Sequence, residues 1–163
     1  MAEITAERLR EVLLYDPETG VFRWWVPTSR KSPFRVGKIA GSYHRDGYRE
    51  IRIDKRLYRA HRLAWLYMTD KWPDLEIDHI DQDGTNNRWF NLRQATRSQN
   101  NANSRHCRNK CGFKGIFQNG PSWAAAISPN GRRVYLGSFP TPEAAHAAYV
   151  AAARKYFGEF AGM

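Results

Sequence analysis

Glu76-Ile77-Asp78-His79-Ile80, Asn91-Leu92-Arg93-Gln94-Ala95 and Thr96-Arg97-Ser98-Gln99-Asn100 are the stretches on which the fold turns. The first reads as a short strand, and the polar run from Asp81 to Arg88 as a loop. The second reads as the returning strand. Thr96 with Gln99 three residues on forms a capping box, which opens a helix at Arg97. Residues 76–105 are thus strand, loop, strand and helix. So small a unit buries too little apolar surface to hold itself together, and the flanking chain must support it.

Upstream, residues 4–15 read as a helix capped by Thr5, with Leu9, Val12 and Leu13 on one face. Asp16-Pro17-Glu18-Thr19-Gly20 is a turn, and Val21 to Val26 is strand-like. Residues 27–38 form a basic loop in which Arg35 and Lys38 are candidate phosphate contacts. A hairpin runs from Ile39 to Tyr43 and back from Tyr48 to Ile53. Ala60 to Met68 reads as a helix with Leu63, Ala64, Tyr67 and Met68 facing inward. Downstream, residues 106–112 read as a polar linker. Phe113 to Gln118, Trp123 to Ser128 and Arg132 to Ser138 read as three strands. Thr141, Pro142 and Gly158 bound a final alanine-rich helix. The predicted class is α+β. An N-terminal α+β extension (1–75) precedes the strand–loop–strand–helix unit (76–105), the linker (106–112) and a three-stranded antiparallel sheet with one helix (113–163).

The 163 residues carry a formal net charge of +10, and the excess recurs in residues 1–60, 61–110 and 111–163. A polyanionic partner, nucleic acid first, fits a charge spread over structured surfaces rather than confined to a tail. The two cysteines, Cys107 and Cys111, make no disulfide framework, and with His106 they lack the second pair that a zinc site needs. No N-terminal apolar run resembles a signal peptide and no stretch is long enough to span a bilayer. The expected location is the cytoplasm, without membrane contact.

Asp78, His79 and the asparagines suit the cutting of a phosphodiester. A carboxylate and an amide oxygen suit magnesium or manganese, which take few protein ligands and keep several waters. Such a cation offsets charge at the scissile phosphate, while a neutral histidine takes the proton of the attacking water. The histidine's second nitrogen needs an acceptor, and Asn91, on the strand returning beside His79, is placed to supply one from its side chain or backbone. Asn100 and Asn103 share a helical face, and Asn100 is the candidate partner of Asp78. The competing reading makes Asn86, Asn87 and Asn91 turn residues that close on their own backbone. Arg93, two residues from Asn91 on the same strand face, is a candidate for steadying the phosphate. His61 reads as a structural histidine first and an active-site neighbour second.

Residues 77–101 resemble the HNH endonuclease family in its phage and intron-homing branch. The match runs through Asp78-His79-Ile80-Asp81, Asn86-Asn87-Arg88, Asn91-Leu92-Arg93, Thr96 and Gln99-Asn100. The resemblance implies a ββα-metal core with Asp78 and Asn100 as ligands of one Mg²⁺ or Mn²⁺, His79 as general base and Asn91 as the residue orienting it. It implies no other cofactor. Asp16-Pro17-Glu18-Thr19-Gly20 before an aromatic strand, Gly47-Tyr48 and Ala60-His61-Arg62-Leu63-Ala64-Trp65 also look like this branch.

Residues 112–160 resemble the AP2 DNA-binding domain, through Gly112-Phe113-Lys114-Gly115-Ile116, Tyr135-Leu136-Gly137-Ser138-Phe139 and Glu143-Ala144-Ala145-His146-Ala147-Ala148-Tyr149. The resemblance implies a sheet lying in the major groove of double-stranded DNA. Lys114, Arg132 and Arg133 are the candidate contacts, with Trp123 packing or touching a sugar. Trp123-Ala124-Ala125-Ala126 departs from the pattern, because the family carries an arginine there. The expected activity is hydrolysis to 5′-phosphate and 3′-hydroxyl ends by a monomer, with a dimer as the alternative assembly. A DNA-binding or regulatory protein without cleavage is the alternative function.

Overall fold

A computed structural model describes residues 3–27, 36–104 and 111–162. The chain forms two compact units, Met1–Gln94 and Ala95–Met163, and each is described by itself. Among the described residues no helix is long and apolar enough to cross a membrane.

The first unit opens with helix α1 (Ala6–Val12), where the Thr5 side chain accepts the Arg8 N–H as its cap. The helix is shorter than the periodicity predicts. Leu13 leaves the helical region at φ −132° and begins strand β1 (Leu13–Asp16), which pairs antiparallel with β2 (Val21–Trp24). The register sets Leu13 opposite Trp24 and Tyr15 opposite Phe22. Leu13, Tyr15, Phe22 and Trp24 all face the core, while Leu14 is exposed, the alternation of a half-buried hairpin.

A second sheet, ordered β3–β4–β5, is built from β3 (Ser42–Tyr43), β4 (Arg49–Ile53) and β5 (Arg56–Arg59). Ile51 and Ile53 are its core residues. Helix α2 (Ala60–Thr69) follows without a break and packs on β4, β5 and α1. Ala60, His61, Leu63, Ala64 and Leu66 are its buried residues, whereas Met68, predicted to face inward, is exposed. One continuous cluster joins Leu9, Leu13, Phe22, Ile51, Leu63 and Leu66 to Ile77 and Leu92. Ile77 and Leu92 belong to β6 (Glu76–His79) and β7 (Leu92–Ala95), a two-stranded sheet. The cluster thus anchors the candidate site to the rest of the unit.

In the second unit, α3 (Arg97–Asn103) begins at the predicted capping box, with Thr96 and Gln99 bonded reciprocally. Strands β8 (Ile116–Asn119), β9 (Ser122–Ile127) and β10 (Val134–Phe139) form an antiparallel sheet in the order β10–β9–β8. Helix α4 (Pro142–Phe157), capped by Thr141 and ended by Gly158, packs along β9 and β10. Its buried residues are Ala145, Tyr149 and Ala153, so helix and sheet approach closely. Helix α3 also packs against α4, so the compact grouping assigns it to the second unit although its sequence continues the β6–β7 stretch. The mixed α+β class agrees with the expectation. Most of the predicted linker lies outside the described residues, as do His106 and Cys107.

Candidate active site

Strand β6 ends in two adjacent side chains that point to opposite faces, Asp78 and His79, and both are buried. They avoid solvent because each face has its own cover. Asp78 Oδ2 accepts from Arg93 Nε at 2.9 Å, with the carboxylate 5% and the arginine 14% exposed. A buried carboxylate without a partner would be costly, and β7 carries the guanidinium to it. Arg93, expected at a phosphate, is therefore engaged by the carboxylate expected at the metal.

His79 lies on the other face among aromatic rings. The His61 ring stands edge-on to it at 5.2 Å, and the Tyr48 ring lies 5.8 Å away. Tyr48 also contacts His61 at 5.2 Å and has the Arg59 guanidinium over its ring. His61, buried on α2, thus lies directly beside His79. Nε2 of His79 lies 3.1 Å from Asn87 Oδ1. The Asn87 amide is oriented by its other end, since Nδ2 donates to the Thr85 carbonyl at 3.3 Å. An amide oxygen only accepts, so Nε2 carries the hydrogen and Nδ1 is the basic nitrogen.

Burial pushes the His79 imidazole below its ordinary value, against the opposing pull of the Asn87 bond and the charges of Asp81, Asp78 and Asp83. His61 is pushed down to about 3 by burial, then by repulsion from His79, Arg62 and Arg59. Both rings are therefore neutral at pH 7, the state in which an imidazole can take a proton.

Asn91 has a different employment from the one predicted. Its Oδ1 accepts the Asp81 N–H at 3.0 Å, and its Nδ2 donates to Asp81 Oδ1 at 2.9 Å and to the Asn86 carbonyl at 2.8 Å. Both amide hydrogens are spent clasping the 81–86 loop. The Asn91 carbonyl accepts the Ile80 N–H at 2.9 Å, so this residue fixes the backbone just after His79. The side-chain acceptor on the imidazole is Asn87. Burial raises the Asp81 carboxyl, but bonds from Asn86, the Asp83 N–H and Asn91 outweigh it and hold it below its usual range.

Asn100 lies half-buried on α3, within the second unit. Among the described residues no group of three or more His, Cys, Asp or Glu could hold a metal. The donors that sequence reasoning assigned are instead one carboxylate and one amide oxygen. That hard-oxygen set fits Mg²⁺ or Mn²⁺ with water completing the shell, and does not fit zinc.

The predicted DNA contacts divide. Lys38 is exposed, and Arg35 lies outside the described residues. Arg132 and Arg133 are exposed beside the sheet, and the Arg133 guanidinium lies 4.8 Å over the Phe117 ring. Lys114 is corrected. Its ammonium donates to the carbonyls of Asn101, Ala102 and Ser104 at 2.7, 2.6 and 2.7 Å, closing the C-terminal end of α3, where a cation meets the negative end of the helix dipole. For Trp123, expected to pack or to touch a sugar, the structure shows packing, with Ile116, Ala125 and Ala145 between sheet and helix. Sequence reasoning missed the roles of Asn87 and Tyr48. The signals available were the doublet Asn86-Asn87 and the Gly47-Tyr48 turn.

The HNH endonuclease family profile matches residues 58–102, which span α2, the β6–β7 pair and most of α3. The chain is similar to an uncharacterised HNH endonuclease of Acanthamoeba polyphaga mimivirus, 35% identical over 128 residues that cover 77% of this chain and 67% of that relative. No solved structure matches the chain.

Proposed function

The chain belongs to the HNH endonuclease family, and we propose that it hydrolyses DNA phosphodiesters to 5′-phosphate and 3′-hydroxyl ends with His79 as general base. The observation that carries this reading is the buried imidazole whose Nε2 faces the Asn87 amide oxygen. Nδ1 of His79 takes the proton of the attacking water. Asn87 keeps Nε2 protonated, so that the developing imidazolium is held by an acceptor. Burial keeps the ring neutral beforehand. Asn91 holds the loop and the backbone after His79, so its role is positioning. Arg93 orients the Asp78 carboxylate through Oδ2.

By the sequence resemblance, Asp78 and Asn100 are the residues that would hold Mg²⁺ or Mn²⁺. When bound, such a cation supplies charge neutralisation at the scissile phosphate and stabilises the departing 3′ oxygen. The C-terminal sheet and helix act as an AP2-like module on double-stranded DNA. This part of the reading rests on the sequence resemblance and on the exposed Arg132 and Arg133, with Lys38 and Arg35 adding phosphate contacts from the first unit. The central strand carries Trp123-Ala124-Ala125-Ala126 where the AP2 pattern has an arginine, so the module contributes phosphate affinity more than sequence choice.

One observation favours the alternative of a DNA-binding protein without cleavage, namely the engagement of Asp78 by Arg93. Supercoiled plasmid incubated with the protein and Mg²⁺ or Mn²⁺ decides between them. Nicking or linearisation by the parent, absent with EDTA and in His79→Ala, is the expected result. Equal cutting by parent and His79→Ala would remove the mechanism, and no cutting by the parent would leave the binding reading.

A further inference from the structure

We propose that the β1–β2 hairpin is a positioning device for the active-site imidazole, with Tyr15 and Gly20 acting through Asn87. The inference rests on the reading of His79 as general base. The hairpin holds residues 87–89 by three contacts. The Tyr15 hydroxyl donates to the Asn87 carbonyl at 2.7 Å, a buried bond between residues 72 apart in sequence. The Pro17 carbonyl accepts the Trp89 N–H at 3.0 Å. Gly20 lies flat against the same segment, where a Cβ would stand 2.4 Å from the Asn87 carbonyl carbon and 2.4 Å from the Arg88 nitrogen. Both neighbours are backbone atoms that cannot rotate aside, and Gly20 has φ +72°, so the position requires glycine twice over.

The hairpin is itself rigid. The Asp16 carboxylate accepts from the Thr19 hydroxyl at 2.7 Å and the Glu18 N–H at 3.0 Å, which closes the turn. The Tyr15 ring is held by Phe22 at 4.7 Å and Tyr67 at 5.6 Å. The Asn87 backbone is therefore pinned from the hairpin side, and its side chain reaches the His79 ring. No part of the hairpin is placed at the reacting atoms, so Tyr15 and Gly20 are positioning residues. An imidazole hydrogen bond weakens steeply once its geometry slips, and small displacements at a general base are expensive in rate.

The test compares full-length Tyr15→Phe, Gly20→Ala and Tyr67→Phe with the parent. Tyr15→Phe keeps the ring in the core and removes only the hydroxyl. Tyr67→Phe perturbs the same aromatic cluster and serves as control. Two quantities are read: kcat and KM for supercoiled plasmid with Mg²⁺, and the His79 tautomer from long-range ¹H–¹⁵N spectra of the metal-free protein. Tyr15→Phe is expected to lower kcat about tenfold with KM little changed, and to move His79 from the pure Nε2–H form towards a mixture of tautomers. Gly20→Ala is expected to do the same more strongly, and Tyr67→Phe to do neither. A folded Tyr15→Phe with the parent's kcat and tautomer would overturn the proposal, as would an equal loss in Tyr67→Phe. If Gly20→Ala does not fold, Tyr15→Phe decides alone. If the parent itself does not cut, the function proposed above fails, while the tautomer comparison still tests the hairpin.

Discussion

The two units bury different kinds of residue. Among the described residues, the first unit buries Asp78, His79, His61, Asn87 and Asn91 beside its large aliphatic and aromatic core, whereas the only polar residue buried in the second is Asn103. The second unit packs instead with Ala124, Ala125, Ala145 and Ala153 around Ile116, Ile127 and Tyr149. Buried polar groups cost stability unless every one is bonded, and they are tolerated where chemistry needs fixed protons. Small-residue packing brings a helix close to a sheet without any such cost. The contrast is the one expected under the proposed function, in which His79 of the first unit does the proton transfer and the second unit adds a basic surface.

The largest expected effect is at His79. His79→Ala is expected to lower cleavage by a factor of about 10² to 10⁴ in a plasmid assay, with DNA binding in a gel-shift assay unchanged. A comparable loss of binding would mean that chemistry and binding are not divided as described. In the second unit, Gly115→Ala is expected to destabilise by roughly 3 kcal/mol or more. The position has φ +75°, and an added Cβ would stand 1.9 Å from the Tyr149 ring. Urea unfolding followed at signals of each unit should show the loss in the second unit's transition and little change in the first. Equal shifts in both would mean that the units unfold as one.

A smaller effect concerns the basic surface. Replacing Arg132 and Arg133 by glutamine together should weaken DNA binding and reduce the slope of log affinity against log salt by about 2. An unchanged slope would remove these residues from the interface.

A last effect, spread over several pH units, is on stability. His61, pushed down to about 3, and His79, also depressed, take up protons in the unfolded chain before they do so in the folded one. Their neutrality therefore costs nothing above pH of about 6.5. Stability should fall as pH drops below that value, by roughly 1 kcal/mol per pH unit for each histidine until its folded value is reached. His61→Leu should flatten the dependence between about pH 6.5 and 4. An unchanged slope in urea titrations would show that His61 already charges in the folded state.

Local signals were legible in the sequence and long-range ones were not. The β6–β7 pair, the Thr96–Gln99 box, the three C-terminal strands and both ends of α4 lie where spacing and capping residues predict them. Leu13 failed because Leu9, Val12 and Leu13 satisfy a helical period. Pairing with Trp24 across the Asp16–Gly20 turn is a non-local preference, and it overrides that period. The site shows the same division. Asp78 and His79 were readable from their neighbours. Asn87 was readable only as a turn residue, because its bond to His79 depends on a loop whose shape Asn91, Asn86 and Asp81 fix together. Lys114 was misplaced because a basic residue ahead of a strand does not say whether its ammonium meets a phosphate or the carbonyls at a helix end. The grip of Tyr15 on Asn87 has no sequence signal at all.

The catalytic role of His79 depends on the protonation of its ring. Long-range ¹H–¹⁵N spectra of the histidine-labelled, metal-free protein at pH 7, with His79 assigned by its disappearance in His79→Ala, read that directly. The predicted spectrum has a protonated, pyrrole-like Nε2 and a pyridine-like Nδ1. An imidazolium pattern, or a hydrogen on Nδ1, would contradict His79 as the base that receives the water's proton.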